Sequence, residues 1–75
     1  MANVSMNDIK GLIATQLGVA SVNDKDRIVE DLGAESSDIA NIIAAVEDKY
    51  QVSISEDTIK SISTVADIFA AVQRA

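Results

Sequence analysis

The chain has 75 residues with no cysteine and no histidine, so neither a disulfide nor a zinc site braces it, and a domain this short buries only roughly 60% of the surface its unfolded form exposes. Hydrophobic residues make up 48% of it with a single Tyr and a single Phe, which predicts one domain over residues 1–75 held by an aliphatic core of Ile, Val, Leu and Ala. Twelve acidic residues against six basic ones give a net charge of −6, a sign that repels nucleic acid and anionic membrane surfaces and favours basic protein partners.

In chain order, Ser5 and Asp8 form an S-x-x-D start for a first helix, and Ile9, Leu12, Ile13 and Leu17 line one of its faces. Gly11 weakens that helix by about 1 kcal/mol relative to alanine, and Gly18 is placed to stop it in a left-handed conformation. From Val19 to Glu35 the periodicity dissolves, leaving Val22, Ile28, Val29 and Leu32 as isolated apolar residues that can pin a long loop to the core, with one turn of helix possible around Asp26 to Glu30. Gly33 is expected to supply a positive φ just ahead of the next element.

A second helix is predicted from about Ser36 to Tyr50, because Ile39, Ile42, Ile43, Val46 and Tyr50 fall at offsets of 0, 3, 4, 7 and 11. Asp38, Asn41, Asp48 and Lys49 face outward on this reading. Gln51-Val52-Ser53-Ile54 alternates like a strand but has nothing to pair with, so it reads as an extended connector with Val52 and Ile54 turned inward. Ser55-Glu56-Asp57-Thr58 opens a brief third helix ending near Ile62. Thr64 and Asp67 then start a last helix through Gln73, with Val65, Ile68, Phe69 and Val72 inward. The fold class expected is all-α, a small bundle of three main helices plus one short helix with a long first loop. No apolar run approaches the roughly 20 residues that cross a bilayer, and the amino terminus shows neither a hydrophobic signal core nor an Arg-rich transit pattern, so a cytoplasmic monomer without membrane insertion is expected.

Ser36 stands where the second helix begins, away from its apolar stripe, with the unpaired N–H groups of the helix start favouring any anionic group attached to its hydroxyl. Serine as a nucleophile needs a neighbouring base held by a third group. With no histidine, with Lys10, Lys25, Lys49 and Lys60 scattered, and with no Gly-x-Ser-x-Gly turn, the chain has no catalytic residue to nominate. A calcium loop counted from Asp24 fails at its sixth position, Val29, where glycine is needed, so no metal site is nominated either. The block from Glu30 to Asp48 holds Glu30, Asp31, Glu35, Asp38, Glu47 and Asp48 and no basic residue. Such a block is either a solvated surface or a docking face.

The run Asp31-Leu32-Gly33-Ala34-Glu35-Ser36 resembles the signature of the acyl carrier protein family: an acidic residue, Leu, Gly, any residue, Asp or Glu, then serine. The resemblance covers nearly the whole chain and implies that Ser36 carries 4'-phosphopantetheine, transferred from coenzyme A by a phosphopantetheinyl transferase (holo-carrier synthase), whose terminal thiol holds acyl intermediates as thioesters for fatty acid, lipid or polyketide-type biosynthesis. It further implies docking of acyl-handling synthase or transferase enzymes, with basic patches, on Glu35, Ser37, Asp38, Ala40, Asn41, Ala44, Glu47 and Asp48. Ile42, Val46, Ile54, Ile59, Ile62 and Ile68 become candidates to part around a fatty chain, and are ordinary core residues otherwise.

Glu35-Ser36-Ser37 stands where the family commonly reads Asp-Ser-Leu, Asn41 stands where it often has Glu, and Ala40 and Ala44 replace larger apolar residues. These departures predict partners of the chain's own, since specificity lives in differences of affinity. The alternative function is a non-modified, carrier-like helical module for protein interaction.

Overall fold

In the computed structural model, which describes residues 4–75, four helices follow one another: α1 (Met6–Leu17), α2 (Ser36–Tyr50), α3 (Glu56–Lys60) and α4 (Val65–Arg74). α1 packs against α2 and α4, and α2 meets α4, so the three longer helices enclose the core. Ile9, Ile13, Ile42, Val46, Val65, Ile68 and Val72 are shut off from solvent there. Each such side chain stabilises the fold by about 1.5–3 kcal/mol, most of it offset by chain entropy.

The caps follow the side-chain chemistry. Ser5 Oγ accepts the Asp8 N–H at 3.1 Å, and Gly18 at φ 71° sends its N–H back to the carbonyls of Ala14 and Thr15. Thr64 Oγ1 accepts the Asp67 N–H at 3.2 Å while Asp67 Oδ2 accepts the Thr64 N–H at 3.0 Å, a reciprocal box that starts α4. On α1 the buried residues are Ile9, Ile13 and Ala14, with Leu12 and Leu17 only half-buried. On α4, Ala71 joins Val65, Ile68 and Val72 inside, and Phe69 is half-buried. α3 stops at Lys60, two residues short of Ile62, although Ser61 and Ile62 continue its turns by donating to Thr58 and Ile59.

The loop between α1 and α2 departs from expectation at two points. Val22 and Ile28 do sink into the core, but Val29 lies 48% exposed because it sits in a turn whose inward position Ile28 already occupies. No helix forms around Asp26 to Glu30. Instead the Arg27 carbonyl accepts both Asp31 N–H at 2.8 Å and Leu32 N–H at 3.1 Å, and the Ile28 carbonyl accepts Ala34 N–H at 3.1 Å, so the turns close on themselves rather than propagate. The loop is also stitched to α4: Ile28 N–H donates to Ser63 O at 2.9 Å, and Val65 and Ala66 donate to Asp26 O at 3.1 Å and Asp24 O at 2.9 Å. Two N–H groups that every helix start leaves without partners are satisfied in this way.

Candidate functional site: the turn before α2

The segment ahead of Ser36 is a hydrogen-bonded turn in which each motif residue has a separate task. Asp31 locks its base, its carboxylate accepting Arg27 N–H at 2.8 Å, Arg27 Nε at 3.2 Å and Arg27 Nη2 at 3.0 Å. The Arg27 side-chain hydrogen bond, with the backbone one, holds the Asp31 carboxyl below its ordinary pKa. Arg27 also reaches Glu30 at 3.8 Å. Leu32 is half-buried against the core, and Gly33 adopts φ 71°, donating to Val29 O at 3.1 Å. Ala34 is 5% exposed and anchors the turn beneath α2. Only a small side chain suits a position packed that closely.

Glu35 occupies the N-cap position of α2 with extended backbone at φ −95° and ψ 170°. Its N–H is accepted by Asp38 Oδ2 at 2.9 Å, and its carbonyl takes the first helical N–H groups, Asp38 at 3.0 Å and Ile39 at 3.2 Å. Ser36 is consequently the first helical residue rather than the cap, and it is exposed. Its hydroxyl forms no hydrogen bond among the described residues, and neither does its N–H or that of Ser37. A capping role would have tied up this oxygen; here it projects unengaged beside two free backbone donors at the positive end of a helix. Those donors suit the negative charge of a phosphodiester, and the free hydroxyl is the atom such a linkage needs.

Of the other residues singled out, Glu35, Ser37, Ala40, Asn41, Ala44 and Asp48 are exposed, while Asp38 and Glu47 are half-buried. Exposed positions 36, 37, 40, 41, 44 and 48 therefore form one continuous face of α2 running from the serine. Ile42, Val46 and Ile68 are fully enclosed, Ile54 is 9% exposed, and Ile59 and Ile62 pack half-buried against the same cluster. The six form a gradient from the core out to α3. No group of three or more Asp, Glu, His or Cys able to hold a metal occurs among the described residues.

Three contributors escaped the sequence reading. Arg27 was detectable as the cation four residues ahead of Asp31; Ala34 carries no signal, since its burial follows from the turn; Gln51, the left-handed C-cap of α2 at φ 55°, has a residue type that rarely takes that role.

A helical domain that presents a free serine hydroxyl at a helix start has the build of a protein carrier, and the comparisons agree. The family model described as phosphopantetheine attachment site matches residues 7–72. The chain is 38% identical over 64 residues to the acyl carrier protein of Chlamydia caviae, covering 83% of each. It is 36% identical over 63 residues to that of a Sulfurovum species, covering 81% of this chain and 84% of the relative. A solved candidate acyl carrier protein from Mycobacterium tuberculosis matches with TM-score 0.88 and 26% identity over 92% of this chain and 95% of the other. The acetyl actinorhodin acyl carrier protein from Streptomyces coelicolor shares the fold at TM-score 0.78 and 24% identity, over 100% and 94%.

The chain belongs to the acyl carrier protein family. It is a carrier, and its prosthetic group is covalently attached 4'-phosphopantetheine. Among the described residues no helix is long and apolar enough to cross a membrane.

Proposed function

We propose that Ser36 is the attachment residue and that the chain, one carrier domain over residues 1–75, presents acyl groups to synthase and transferase enzymes. The observation that carries this is the exposed Ser36 hydroxyl, free of hydrogen bonds, on the first residue of α2 behind the Asp31–Ala34 turn. The arm, when bound, supplies a terminal thiol that holds acyl groups as thioesters, and it supplies the only thiol, since the chain has no cysteine. Ser36 Oγ forms the new bond to the pantetheine-bearing phosphorus as the pyrophosphate link of coenzyme A breaks and adenosine 3',5'-bisphosphate leaves with the bridging oxygen, the serine proton passing to a base of the phosphopantetheinyl transferase. Ser36 and Ser37 N–H groups face the resulting negative charge.

Exposed Glu35, Ser37, Ala40, Asn41, Ala44 and Asp48, with half-buried Asp38 at the margin, make the docking face for partners with basic patches. Ala40, Ala44 and Asn41 make that face flatter and less charged than the family's usual pattern, which favours enzymes dedicated to this carrier. Co-expression with a broad phosphopantetheinyl transferase followed by intact mass measurement tests the assignment. The wild-type chain and Ser37→Ala gain one phosphopantetheine each and Ser36→Ala gains none; a modified Ser36→Ala chain would refute it.

A further inference from the structure

Glu47 makes three hydrogen bonds to the chain just beyond α2, and Asp48 adds one, its carbonyl accepting from Gln51 Nε2 at 2.6 Å. The Glu47 carbonyl accepts the N–H of Gln51 at the C-cap and that of Val52 at 3.1 Å, and its carboxylate Oε2 reaches past them to accept the Ile54 N–H at 2.8 Å. Residues 53–62, comprising the end of the connector, α3 and its last turn, make no other hydrogen bond to the rest of the chain among the described residues. Apolar packing anchors this stretch weakly too. α3 contributes no buried side chain, whereas α1 and α2 contribute three each and α4 four. The firm contact is Ile54, 9% exposed and part of the buried core, while Ile59 and Ile62 pack only half-buried against that core.

We propose that Glu47 is a positioning residue, a latch whose carboxylate holds the connector against α2 and so keeps Ile54 seated in the core until an aliphatic chain displaces it. The proposal rests on the carrier reading for the identity of that guest. It also sets Glu47 apart from the docking face: a half-buried carboxylate already engaged by a backbone N–H has less to offer a basic partner than the exposed Asp48 next to it. Opening breaks this bond and hydrates its donor, so the bond adds its own worth to the burial of Ile54 in the gap between the closed and open states.

Two substitutions separate latch from surface charge. Glu47→Gln keeps the length and an acceptor oxygen while removing the charge; Glu47→Ala removes the acceptor. In the protein without its arm, Glu47→Ala raises amide exchange at Ile54 about tenfold, referenced to Val72 as a reporter of global stability, and Glu47→Gln leaves it within about threefold of wild type. In octanoyl-loaded protein, hydroxylamine cleaves the Glu47→Ala thioester about threefold more slowly than the wild-type one, because the released connector lets the core shelter the chain more of the time, and acetyl-loaded forms do not differ. Unchanged Ile54 exchange in Glu47→Ala, or equal rises in both variants, overturns the latch. So do octanoyl thioesters cleaved at equal rates in Glu47→Ala and wild type. Failure of loading together with faster Ile54 exchange would count against attachment at Ser36 and leave the latch standing.

Discussion

Gly33 and Ser36 are three residues apart, and the first makes the second reachable. At φ 71° Gly33 holds a conformation that costs other residues roughly 1–2 kcal/mol, and a Cβ there would meet nothing within 4 Å. Gly33→Ala therefore destabilises by about 1 kcal/mol through backbone strain alone and slows modification of Ser36 by tilting the turn, as urea titration and transferase kinetics would register. Gly11, in the middle of α1, is the opposite case. It has ordinary helical backbone with open space around its missing Cβ, so Gly11→Ala stabilises by about 1 kcal/mol in the same titration. At this scale Gly33 was legible, because its positive φ is a local backbone demand that glycine itself announces, whereas the N-cap role of Glu35 was not, glutamate being an unusual cap. Ala34 was not, since an alanine reads the same whether it anchors a turn or faces water.

For whole elements, α1, α2 and α4 could be read nearly to the residue from apolar spacing and from Ser5, Thr64, Asp67 and Gly18. The long loop could not, because what shapes it is backbone pairing between segments distant in sequence, Ile28 with Ser63 and Val65 with Asp26, to which side-chain type is indifferent. Asp67 stands at that junction. It accepts Thr64 N–H at 3.0 Å and Ser63 N–H at 2.9 Å, and these backbone bonds hold its carboxyl below the ordinary value of 3.8. A lowered pKa in the folded state gives stability that is complete above the ordinary value and drains away as pH falls below it through the lowered one. Asp67→Ala is expected to cost about 1–2 kcal/mol at neutral pH and to shrink the fall in stability below pH 3.8. Thermal unfolding as a function of pH measures both; an acid limb of unaltered depth in the variant would remove Asp67 from this account.

The molecule as a whole is a small aliphatic core under a strongly negative surface. Its net charge is −6, and both of its ion pairs among the described residues use the same cation, Arg27. Self-repulsion is thus the larger electrostatic contribution, exposed pairs being worth about 0–1 kcal/mol. Raising salt from about 0.02 to about 0.5 M, which shortens the screening length several-fold, is expected to stabilise the fold by about 1 kcal/mol, read as a rise of roughly 4–8 °C in Tm. A fall in Tm would mean that the Arg27 pairs dominate. The all-α class was open to sequence reading through its apolar periodicity. The link from Glu47 to Ile54 was not, because it depends on a side chain reaching a backbone group seven residues on. The proposed function gives this acidic bundle its purpose through a single serine, and fragmentation mass spectrometry of the transferase-treated chain tests that proposal most directly. The predicted result is one phosphopantetheine confined to Ser36 in wild type; an adduct on Ser37 or any other residue, or an unmodified chain, would contradict it.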